Sequence, residues 1–137
     1  MRNLALVFAV LLHGFAGAAG AQSEAEPVIG LELNRVDQIE GACRLTFMAT
    51  NALGADVEAL TVETVLIDAE GVVERLTLFE FGALPAGTPR VRQFDLPDLE
   101  CGVLGRVLVN GVADCTGAED CAERMDLSSR VDIELIG

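Results

Sequence analysis

Four cysteines, Cys43, Cys101, Cys115 and Cys121, are the side chains of this sequence best equipped for chemistry, and two of them bracket the stretch CTGAEDC at residues 115 to 121. Thiols so placed can form a metal clip, a redox switch or a covalent staple. A zinc clip wants four ligands drawn from Cys and His, and the single histidine, His13, lies in the N-terminal segment far from any cysteine. A thioredoxin-type switch uses C-x-x-C spacing, whereas five residues separate Cys115 from Cys121. The staple is the reading that fits. Two disulfides are expected, from an even cysteine count.

The compartment follows from the N-terminus. MRNLALVFAVLLHGFAGAAGAQS opens with Arg2, runs apolar from Leu4 to Leu12 and reaches the small residues Ala19-Gly20-Ala21. That is the pattern of a secretory signal peptide, residues 1–21, with cleavage expected after Ala21. The apolar run is short for a membrane span, no cysteine follows the small residues to carry a lipid, and no twin-Arg pair is present. Residues 22–137 are then expected to form one soluble domain in the periplasm or outside the cell, where thiols oxidise.

Removing the signal prunes the enzymology. Residues 22–137 contain no His, Lys, Trp or Tyr, and eight arginines face 22 acids, so the net charge moves from −13 to −14. Without imidazole or amine there is no Ser-His or Cys-His pair, no Schiff base and no P-loop lysine. The chain is therefore expected to be no enzyme and to need no cofactor. A strongly acidic surface repels phosphate polyanions, which argues against nucleic acid and anionic membranes as partners; a protein partner in the periplasm is expected.

Two charged features remain. Asp114, Glu119, Asp120, Glu123 and Asp126 surround the cysteine clip, and Asp95, Asp98 and Glu100 precede the next cysteine. Oxygen-rich loops can hold Ca²⁺, although the EF-hand pattern is absent and a solvated acidic surface explains the same residues. Arg90 and Arg92 in TPRVRQF stand two apart, on one face of a strand, where two guanidiniums could clamp a carboxylate or phosphate. Local neutralisation of an acidic surface is the plainer reading of the pair.

The elements that position these groups read as strands. Ile29, Leu31 and Leu33 alternate with polar partners, as do Cys43, Leu45, Phe47 and Ala49. NALGAD (51–56) is a turn cluster, LTVETVLID (60–68) and VVERLTLFEF (72–81) form a hairpin across Ala69-Glu70-Gly71, and VRQFDL (91–96), GVLGRVLVNGV (102–112) and RVDIELIG (130–137) follow. Seven short strands with Gly/Pro turns predict an all-β, immunoglobulin-like sandwich.

Strand phase then bears on the cysteines. Cys43 shares the parity of Leu45 and Phe47, and Cys101 that of Val103 and Val107, so both are expected to point inward. With strands running alternately up and down, Cys43 and Cys101 begin their strands at one end and Cys115 ends its strand at the other. The expected bridges are Cys43–Cys101 between sheets and Cys115–Cys121 in a surface loop. Asn110-Gly111 is a strong hairpin signal, and a reversal there would bring Cys115 back and leave Cys43–Cys115 open.

The stretch from Cys43 to Val112 resembles the small bacterial exported domains of the FxLYD-like and CARDB-like immunoglobulin type. The residues carrying the likeness are Asn51, Gly54, Asp68, Gly71, Val73, Gly82, Leu84, Ala86 and Gly87, and the chain departs from the first family where Ile67 and Asp68, not Tyr, follow Leu66. The whole chain is also similar to short, uncharacterised alphaproteobacterial exported proteins. These motifs are turn chemistry. The resemblance implies a non-catalytic interaction or scaffold module, with a small-ligand or Ca²⁺-binding domain as the alternative, and transfers no functional residue.

Overall fold

The computed structural model describes residues 25–137, and the expected signal peptide, residues 1–21, with its cleavage site after Ala21, lies outside them. Eight strands follow in order: β1 (Ile29–Ile39), β2 (Ala42–Asn51), β3 (Val57–Asp68), β4 (Val73–Leu84), β5 (Arg90–Pro97), β6 (Leu104–Thr116), β7 (Met125–Ser129) and β8 (Glu134–Ile136). They form two four-stranded sheets, ordered β5-β2-β1-β7 and β4-β3-β6-β8. Pairing of the second strand with the fifth and of the third with the sixth is the Greek-key order of an immunoglobulin-like sandwich.

The alternating residues meet between the sheets. Leu31, Leu33, Leu45 and Phe47 from one sheet and Leu60, Val62, Leu66 and Val107 from the other are fully buried. All four phenylalanines of the described chain, Phe47, Phe79, Phe81 and Phe94, share one cluster, with Phe79 and Phe94 stacked at 4.3 Å and Phe47 edge-on to the others.

Turn chemistry holds the strand ends. Asp68 Oδ1 accepts from the Glu70 and Val72 amides at 3.0 and 2.7 Å, and Gly71 takes the positive φ, +89°, that closes the hairpin. Asn51 is buried, 2% exposed; its Nδ2 donates to the Ala55 and Leu84 carbonyls, both at 2.8 Å, and its Oδ1 accepts from the Leu53 amide. One amide thereby ties the 51–56 turn to the end of β4.

The continuous strand expected through Asn110-Gly111 is found: β6 runs on to Thr116 without a reversal there, and Asn110 is taken up as a register shift against β3 between Glu63 and Thr64. Two expectations need correction. RVDIELIG is not one strand. Residues 130–133 cross from one sheet to the other, with Ser129 Oγ donating to the Ile133 carbonyl at 2.6 Å, so β7 pairs parallel with β1 and β8 parallel with β6. Finally, Cys101–Val103 is a single 3-10 turn, which breaks the assumed parity and leaves Val103 38% exposed.

Candidate functional site

The sulfur atoms are all paired. Cys43–Cys101 and Cys115–Cys121 are disulfides with Cα separations of 5.0 and 6.1 Å, and no described cysteine is free. Cys43 is buried at the start of β2, and Cys101 sits in the turn before β6, held by its amide donating to Gln38 Oε1 at 2.7 Å. The second bridge is more than a surface clip, because Cys121 is itself buried in the core cluster. It draws the loop after β6 down onto the sandwich. Both pairs are structural staples.

The two arginines do not form a clamp. Arg92 reaches from β5 to the other sheet, donating through Nε to the Phe81 carbonyl at 2.6 Å and through Nη2 to the Ala83 carbonyl at 3.1 Å. Its guanidinium is thus occupied in tying the flanks of β5 and β4 together. Arg90 donates only to the neighbouring Pro89 carbonyl at 3.1 Å. Neutralisation is carried by other arginines: Arg44 and Asp95 form a bidentate pair at 2.7 and 2.8 Å, and Arg130 holds Glu32 at 2.8 Å. The hydrogen bond from Arg44 keeps the Asp95 carboxyl below its ordinary pKa, and Glu32 is lowered by its hydrogen bonds from Asn34 and then Arg130. The acids around the clip do not converge; among the described residues no three acidic, His or Cys side chains are grouped as a metal site would need.

What strand patterning did not single out is the outer face of the β4-β3-β6-β8 sheet. Leu76 lies opposite Val65, Val65 opposite Leu108, and Leu108 opposite Ile136, so one apolar row crosses all four strands. Leu76 and Leu78 are 61% and 53% exposed, Val72 and Val73 are exposed where the same strand begins, and Ile136 is exposed at the far end of the row. Glu63, Glu74, Glu80 and Glu134 stand around the row, with Arg106 ion-paired to Glu134 at 3.8 Å. The outer face of the other sheet is mostly polar, carrying Thr50, Gln93, the Arg44–Asp95 pair, Asp126 and Ser128 around Met48 and Val91. The signal was present in RLTLFEF: Leu76 and Leu78 have one parity and Phe79 and Phe81 the other, which makes β4 apolar on both faces.

Comparison with protein-family models, curated proteins and solved structures gives no match. Among the described residues, no helix is long and apolar enough to cross a membrane.

Proposed function

We propose that this protein is a non-catalytic interaction module, exported to the periplasm or beyond, that binds a protein partner through the outer face of the β4-β3-β6-β8 sheet. The observation that carries the reading is the exposure of Leu76 and Leu78 to water, at the β4 end of an apolar row that runs through the buried Val65 and the half-buried Leu108 to Ile136. Scattered surface leucines are ordinary, but a contiguous row rimmed by charge is how a binding patch differs from the rest of a surface. The acidic rim favours a partner with a basic face and speeds its encounter. Export is supported by the two disulfides, which persist in oxidising compartments, and by the signal-like N-terminus. The likeness to exported bacterial immunoglobulin-type domains points the same way.

The test uses the oxidised protein immobilised as bait for a periplasmic extract. Leu76→Ser/Leu78→Ser removes only solvent-exposed side chains, so the variant should keep its circular dichroism spectrum and lose the protein retained by the parent. Undiminished retention would sink the proposal.

A further inference from the structure

The two flanks of the sandwich are built differently. Where β5 lies over β4 the gap is sealed, by the phenylalanine cluster inside and by Arg92 bonding across to the Phe81 and Ala83 carbonyls. Where β7 lies over β8 the strands are short. β8 pairs only with Arg106, Val107 and Leu108, so β6 continues from Val109 to Thr116 with no strand on that side among the described residues.

The space this leaves is an open groove of about 630 Å³ between the sheets. Its apolar walls are Val109 and Val112 of β6, Met125 and Leu127 of β7, and Leu135 and Ile136 of β8, and its one charged lining side chain is Glu123. Register fixes its relation to β8. Arg106 faces Glu134 and Leu108 faces Ile136, so the line of β8 leads past Gly137 along Val109 and onward. Gly137 lies at the groove's end; a Cβ there would come within 2.6 Å of Leu127 Cδ1 and 3.3 Å of the Val109 carbonyl oxygen. The Cys115–Cys121 bridge holds the other end, since Glu123 follows Cys121 by two residues.

We propose that this groove accepts an added β-strand from a partner protein, laid in line with β8 against Val109–Thr116. An unpaired strand edge supplies main-chain donors and acceptors for such a segment, and pockets for alternate side chains select it. The apolar walls call for aliphatic residues at every second position, matching the two-residue period of a strand. The volume falls within the range of sites that bury small ligands, roughly 300 to 1,000 Å³, and admits a few aliphatic side chains. Glu123 calls for Lys or Arg beside it. A second copy of this chain is a poor occupant, because each carries a net charge of −14 once residues 1–21 are removed and like charges oppose association. The occupant is a basic, aliphatic, extended segment of another protein. This site lies at the far edge of the sheet from Leu76 and meets the apolar row only at Ile136, and its test does not depend on Leu76 or Leu78.

The test is an amide NMR titration of the oxidised protein with the acetylated heptapeptide Arg-Val-Thr-Val-Thr-Val-Arg. Shifts should concentrate at Val109–Thr116 and Met125–Leu127, and the peptide should bind at least about threefold more tightly than its counterpart with glutamate at both ends. Glu123→Arg, a change at an exposed position, should reverse that ranking. The proposal is overturned if the shifts fall around Leu76, if no residue of β6 shifts, or if a peptide with proline at its central position binds equally, since that would show apolar contact without strand pairing. A free protein whose β6 amides shift with its own concentration would also overturn it, by naming a second copy as the occupant.

Discussion

Asn51 shows how much of this fold hangs on single polar side chains. It is buried and makes three hydrogen bonds, two given to the Ala55 and Leu84 carbonyls and one accepted from the Leu53 amide. Its own carbonyl also accepts from the Gly87 amide at 2.9 Å, so both turns at that end converge on one residue. Removing a buried partner leaves the others desolvated and unbonded, at about 1 to 3 kcal/mol for each group that water does not reach. Asn51→Ala should therefore cost roughly 2 to 4 kcal/mol and lower the melting temperature by around 10 °C. Asn51→Asp should be no better, because a carboxylate offers no donor to the two carbonyls; calorimetry of both variants checks this, and an Asp variant as stable as the parent would contradict it. Arg92 teaches a related lesson. Its spacing from Arg90 reads as a clamp, yet the main-chain carbonyls of β4, invisible in a pattern of side chains, claim its guanidinium.

The disulfides belong to the scale of the elements they join. Cys43–Cys101 links residues 58 apart and Cys115–Cys121 links residues six apart. Packing scarcely separates them, because each bridge has one buried and one half-buried cysteine. Loop entropy decides: closure of the longer loop is worth about 4 kcal/mol and of the shorter about 2. Cys43→Ala/Cys101→Ala should thus lower the melting temperature more than Cys115→Ala/Cys121→Ala, by an amount set by a gap of roughly 2 kcal/mol. Equal losses in a thermal melt would show that native packing, not chain closure, is what these bridges supply.

Strands β1 to β6 were legible because each has an apolar parity and a Gly, Pro or Asx turn at its ends, and the disulfide pairing followed from their alternating directions. The end of the chain was not. MDLSS is too short to stand out, with only Met125 and Leu127 as its alternating apolar positions, and β7 exists because its backbone pairs with Ile29–Leu33 of β1, a parallel contact distant in sequence. Asn110-Gly111 misleads for the converse reason: a turn-forming pair is overridden when pairing on both sides of it holds the strand straight.

At the scale of the whole molecule the asymmetry is between surfaces. One outer face is mostly polar and braced by the Arg44–Asp95 pair, the other carries an apolar row inside an acidic rim, one flank is sealed by aromatic rings, and the opposite flank stands open. A sandwich that needed only to be stable would gain nothing from holding Leu76 and Leu78 in water, where each forgoes roughly 1.5 kcal/mol or more of burial. Binding of a partner over that face would recover that term. The most direct measurement is site-specific photo-crosslinking in cells exporting the protein, with a benzophenone amino acid at Leu76 on one outer face or at Gln93 on the other. The interaction-module account predicts a discrete crosslinked protein from Leu76 and none from Gln93. Equal labelling from both positions, or none from Leu76, would contradict it.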